Sequence, residues 1–161
     1  FSLYAEGAGK NEITILWGSM YGMTAKAVNY VEGILKREGI KYNKLEMPLK
    51  SNSEMIATVF KSAGVIVAAP TYEYKLFPPV AEALNELGRK RITGKVAFRF
   101  GSYGWSGGAE KELKEIIERN RMNWDFIESV EFEGAPREED LIKVEAGVLK
   151  LIEKIREKVI E

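Results

Sequence analysis

Cysteine, histidine and glutamine are all missing from this chain of 161 residues. Without cysteine there are no disulfides and no thiolate chemistry. Without histidine no imidazole can move protons near neutral pH, and the commonest zinc and copper ligand sets are excluded. Any redox chemistry has to be carried by a bound cofactor. An excess of one charge is missing too: 24 basic residues balance 24 acidic ones, and no basic stripe or basic-aromatic patch stands out, which argues against a nucleic-acid partner. The longest apolar runs are strand-sized and no signal-peptide pattern opens the sequence, so no membrane span and a soluble cytoplasmic location are expected. The chain starts with Phe1 instead of methionine, from which we expect it to have been cut from a longer protein.

What is present is a globular composition, 45% hydrophobic and 30% charged at 18.1 kDa, enough for one domain that buries about two thirds of its unfolded surface. Residues 1–11, ending Glu6-Gly7-Ala8-Gly9-Lys10-Asn11, have the composition of a linker, and 12–161 are expected to form the domain. Gly9-Lys10 does not open a nucleotide-hydrolysing loop, because Tyr4 stands where that motif needs glycine and Asn11 where it needs serine or threonine. From residue 12 onward, strand-like and helix-like segments alternate: strands over 12–17, 41–46, 63–69, 95–101 and 126–132, helices over 22–38, 53–62, 78–88, 107–120 and 137–160. Five such units predict an α/β fold, a doubly wound five-stranded parallel sheet with helices on both faces. Val28, Val31 and Leu35 recur at helical spacing before Gly39, a natural terminator. Leu141, Val144, Val148, Leu151, Ile155 and Val159 give the last helix an apolar stripe. Val65-Ile66-Val67-Ala68-Ala69 reads as a central strand, whereas Arg99 interrupts Val96-Ala97-Phe98-Arg99-Phe100 and calls for a carboxylate partner or a gap between covering helices.

In a parallel sheet the strand-to-helix loops gather at the carboxyl edge, where loops distant in sequence meet over one ligand. Three of them are unusual. The first, Ser19-Met20-Tyr21-Gly22-Met23-Thr24, runs from an apolar strand into a helix and has the makings of a phosphate cradle: amide donors at a helix N-terminus, hydroxyls from Ser19, Tyr21 and Thr24, and Gly22 for close approach. It lacks the lysine of phosphate-transferring loops, so it suits a phosphate that is held. The second is Pro70-Thr71-Tyr72-Glu73-Tyr74 with Phe77-Pro78 downstream, and the third is Gly101-Ser102-Tyr103-Gly104-Trp105-Ser106-Gly107-Gly108. Tyr72, Tyr74, Tyr103 and Trp105 among glycines could wall a slot for a flat heteroaromatic ring, since aromatic stacking adds roughly 0.5–1.5 kcal/mol beyond buried area. A flat ring with a monophosphate tail is the shape of flavin mononucleotide, FMN. A dinucleotide fits less well, because no Gly-x-Gly-x-x-Gly follows any strand.

These strings resemble the flavodoxin superfamily, and within it the flavodoxin-like domain of the flavodiiron proteins, or A-type flavoproteins. Phe100-Gly101-Ser102-Tyr103-Gly104-Trp105-Ser106-Gly107 is the most specific of them. The resemblance implies strand order 2-1-3-4-5 and a non-covalent FMN, with its phosphate on Ser19 to Thr24 and its ring between Tyr72 and Trp105. The ring's polar edge would meet backbone groups of residues 71–74 and 102–108, Ser102, Tyr103, Gly104 and Gly107 among them. Glu73 and Tyr74 replace the asparagines of many relatives, and a Glu73 carboxylate near the ring would lower its potential. In the family the flavin takes electrons from a rubredoxin or similar donor and passes them to a di-iron site that reduces oxygen or nitric oxide. That site lies in a separate metallo-β-lactamase-like domain, built on histidines that this chain lacks. The family commonly assembles as a head-to-tail homodimer.

Two further readings of the same loops stay open: a free-standing flavodoxin, and an FMN-dependent NAD(P)H:quinone reductase. The balanced charge argues against the first, because an acidic surface is what helps such carriers dock on basic partners. A phospho-acceptor receiver domain is excluded, since it needs acidic residues where Gly18-Ser19 and Pro70-Thr71 stand.

Overall fold

The structure, a computed structural model, describes residues 9–18, 22–48, 52–72, 75–103 and 108–158, with only the backbone of Met23 and Tyr72. The chain alternates as expected: β1 (Lys10–Trp17), α1 (Met23–Arg37), β2 (Lys41–Glu46), α2 (Asn52–Lys61), β3 (Ser62–Ala68), a short hairpin of β4 (Thr71–Tyr72) and β5 (Lys75–Leu76), α3 (Pro78–Arg89), β6 (Val96–Tyr103), α4 (Ala109–Arg119), β7 (Asp125–Phe126), β8 (Val130–Glu133) and α5 (Glu138–Lys158). The main sheet is parallel throughout and ordered β2-β1-β3-β6-β7, with β8 also on β6. Taken as one interrupted edge strand, β7 and β8 complete the expected order 2-1-3-4-5.

That interruption is a β-bulge. On β6 the register advances from Ala97 to Phe100, three steps, while the edge strand advances from Phe126 to Val130, four steps. One extra residue blunts an edge that would otherwise offer unpaired amides to another chain.

Both faces of the sheet are covered. Ile13, Ile15, Ile66, Phe98, Phe100 and Phe132 face α1 and α5, while Leu16, Val65, Val67 and Ala97 face α2, α3 and α4. Each fully buried large aliphatic or aromatic side chain contributes about 1.5–3 kcal/mol. The predicted stripes are where the packing is: Val28, Val31 and Leu35 on α1, and Val144, Val148, Leu151 and Ile155 on α5, are buried, whereas Val159 lies outside the described residues. Gly39 has φ +71° and ends α1. Its amide donates to the Lys36 carbonyl, and that of Ile40 donates to Leu35. α5 reaches the sheet through Gly147, where an added Cβ would stand 2.3 Å from the Phe98 ring.

At the amino end of the sheet Lys95 is 1% exposed and donates to the Phe60 carbonyl at 2.9 Å. Burial, and then the charge of Lys158, push its pKa down from 10.5 to about 8. The unfolded chain therefore keeps a proton that the folded chain has released between these two values, and stability rises with pH through that window. Urea titrations between about pH 7.5 and about pH 10 are expected to show this rise in the wild type and its loss in Lys95→Met. Parallel pH profiles for the two proteins would contradict the assignment.

Candidate functional site

Because β1, β3 and β6 run parallel, their carboxyl ends leave the sheet at one edge, and the ladder continues into the loops. The Gly18 amide donates to Ala68 O at 3.0 Å, and the Ala69 amide donates to Phe100 O at 3.1 Å. Three close contacts then tie the loop bases together. An added Cβ on Gly18 would stand 2.5 Å from the Phe77 ring, so the exit of β1 packs flat against the end of the second loop. A Cβ on Gly101 would stand 1.8 Å from the Ala69 carbonyl oxygen, so the exit of β6 lies against the start of that loop. The Thr24 and Ser102 hydroxyls, both buried, meet at 3.3 Å and join the first turn of α1 to the end of β6.

The second loop is itself pinned. Thr71 pairs with Leu76 and Tyr72 with Lys75, and the Phe77 amide donates to Pro70 O at 3.0 Å. The Leu76 amide donates to Glu112 Oε1 at 2.9 Å, which anchors the hairpin on α4.

The N-terminus of α1 carries no carboxylate of its own. Its N-cap, Gly22, sits at φ +74° with no side-chain cap, and no acidic residue occupies the first turn. α2, α4 and α5 all carry carboxylates there, and α3 begins with Pro78 and Pro79, which have no amide donors. Among the described helices, α1 alone combines first-turn donors with the absence of a competing carboxylate. Two buried polar atoms also lack partners: Thr71 Oγ1 in the second loop, and Nε1 of Trp17, the last residue of β1, whose ring lies under Lys44 of β2. Such orphans call for a partner, and an uncapped helix start joined to the end of β6 through Thr24 and Ser102 fits an anionic group such as a phosphate.

No protein-family model matches the chain. A curated relative, the nitric oxide reductase of Moorella thermoacetica, is 28% identical over 141 residues, which are 88% of this chain and 35% of that protein. Among solved structures, rubredoxin oxygen:oxidoreductase from Desulfovibrio gigas superposes with a TM-score of 0.87 at 24% identity, over 96% of this chain and 38% of that one. The flavodiiron protein of Giardia intestinalis gives 0.85 at 23%, with the same coverage. The chain shares the flavodoxin-like α/β fold with these proteins. It spans about a third of the length of those proteins, whereas an archaeal flavodoxin is matched over 99% of its length, and 90% of this chain, with a TM-score of 0.75 at 20% identity.

Within this flavodoxin-like domain, several site residues named from sequence lie outside the described residues: Ser19, Met20, Tyr21, Glu73, Tyr74, Gly104, Trp105 and Gly107. Met23 and Tyr72 are placed by backbone alone. Gly22, Thr24, Pro70, Thr71, Ser102 and Tyr103 stand at the carboxyl edge of the sheet. Two local assignments change. Ser102 and Tyr103 belong to β6 instead of the third loop, because they pair with Phe132 and Glu133 of β8. Thr71 and Tyr72 form a strand of the hairpin. Trp17, the last residue of β1, carries a buried Nε1 without a partner that the sequence alone does not signal.

If Gly18 and Phe77 lock the first and second loops, Gly18→Ala loses about 1–3 kcal/mol, and most of that loss disappears in a Phe77→Ala background. Additive losses in denaturant titrations of the four proteins would show that the two loops are not coupled there.

Proposed function

We propose that this domain is the FMN-binding electron-transfer module of a flavodiiron-type oxidoreductase. The observation that carries the reading is the open N-terminus of α1, bound through Thr24 and Ser102 to the base of the third loop. The amides of the first turn of α1, with Ser19, Tyr21 and Thr24, would hold the phosphate. A hydroxyl has one hydrogen and two lone pairs, so Thr24 can contact both Ser102 and an anion. Pro70 to Tyr74 and Ser102 to Gly107 would contact the ring, with Tyr72 and Trp105 as its walls and the Thr71 hydroxyl finding there the partner it lacks. The flavin, when bound, supplies the one- and two-electron chemistry; the residues of the chain hold it, orient it and exclude water.

The fuller role follows from the same reading. Electrons would come from a rubredoxin or a similar donor and leave for a di-iron site in a metallo-β-lactamase-like domain, with residues 1–11 as the linker to it. Nothing in 12–161 then acts on a substrate of its own. Assembly as a homodimer would bring the flavin of one subunit to the iron of the other, in the cytoplasm. The oxidoreductase names of the relatives support this role, as does the absence of histidine.

Titration of the purified chain with FMN and with riboflavin, read by flavin absorption and fluorescence, tests the proposal. Saturable binding with FMN well ahead of riboflavin is expected, and Thr24→Asp is expected to cost FMN tenfold or more in affinity, roughly 1.4 kcal/mol, and riboflavin much less. Folded protein that takes up no FMN would overturn the reading, and equal losses for both ligands would remove the cradle.

A further inference from the structure

Arg99 is a guanidinium with no exposure, on the middle of a covered strand. Its register partner on β3 is Val67, and its neighbours along that face are Ala97 and Gly101. A charge in such a place is costly unless something compensates it. The compensation is incomplete. Nη2 donates to Ala69 O at 3.1 Å, and Nη1 stands 3.1 Å from Glu131 Oε2 as an ion pair. That pair lacks hydrogen-bond geometry: Nε, Nη1 and Glu131 Oε2 all remain without hydrogen-bond partners. The partner carboxylate is 28% exposed and lines a groove of about 1020 Å³ between α4 and the edge strand.

The place of the cation matters as much as its charge. Ala69 O is the atom against which Gly101 packs without a side chain, and it comes immediately before Pro70-Thr71. A Cβ on Gly101 would also crowd Nη2 at 3.3 Å. Glu131 is opposite Gly101 in register, so the missing side chain leaves a diagonal path from Arg99 to its partner. One guanidinium thus ties together the base of the second loop, the exit of β6 and the edge strand.

We infer that Arg99 is a positioning residue for the flavin site, and that its under-compensated charge, held below the second loop, favours reduced over oxidised flavin, with Glu131 tempering that bias. The inference rests on the FMN reading above. Reduction by two electrons and one proton leaves the ring one unit more negative, and a fixed cation beneath it favours that form in the way a neighbouring cation favours a carboxylate.

The test compares Arg99→Met and Glu131→Gln with the wild-type chain loaded with FMN, reading the ratio of dissociation constants for oxidised and reduced flavin through the midpoint potential. Arg99→Met is expected to lower the preference for reduced flavin by about three- to tenfold. Glu131→Gln, which keeps the shape of the 28% exposed side chain and removes only its charge, is expected to raise it, measured on protein shown to be folded by circular dichroism. Opposite shifts support the inference, because loss of a purely structural ion pair gives no reason for them. An unchanged ratio in Glu131→Gln overturns it, whether or not Arg99→Met folds, while FMN binding still stands. A folded wild-type chain that binds no FMN overturns both this inference and the reading beneath it.

Discussion

The whole site depends on close backbone packing where three parallel strands leave the sheet. Gly18 lies against Phe77, Gly101 lies against the Ala69 carbonyl, and Thr24 meets Ser102 at 3.3 Å. A side chain at either glycine would push one loop base away from the next, by contacts shorter than any real Cβ tolerates. The sheet order decides that these loops are neighbours, and the glycines decide how near they come. Loop bases held this closely would reduce the ordering cost of binding a ligand across them.

Charge is distributed to the same end. Three of the five described helices begin with their own carboxylates and a fourth with two prolines, whereas α1 begins with a bare glycine cap. Its dipole therefore meets no carboxylate from its own first turn. On the opposite face, Arg99 sits fully buried with a single hydrogen-bond acceptor in Ala69 O and an ion-pair partner that reaches solvent. The net charge of zero conceals this arrangement, because what matters is where charge is left unopposed and not how much of it there is.

Much of the fold was legible because periodicity is a local property. The apolar run Val65 to Ala69 needs burial on both faces and obtains it, and the 3.6-residue stripe of α5 can point nowhere but at the sheet. Gly39 announces its own positive φ. What was not legible depends on partners far away in the chain. The bulge between Phe126 and Val130 exists only relative to β6, and the extension of β6 through Ser102 and Tyr103 exists only because β8 pairs with them. Arg99 signalled its need for a carboxylate, yet the identity of Glu131, 32 residues on, required the register of the edge strand. At the site, Gly22 and Thr24 could be named from the strand-loop-helix pattern. The Trp17 indole could not, since a tryptophan ending a strand looks like core until its Nε1 is found without a partner.

Hydrogen–deuterium exchange on the purified chain, with and without FMN, tests most directly whether one ligand spans the three loop bases. Protection is predicted to appear together in the first turn of α1, around Pro70 to Tyr72 and at the end of β6 through Tyr103, with the groove beside Glu131 unchanged. Protection confined to a single loop, or gathered between α4 and the edge strand, would contradict the account.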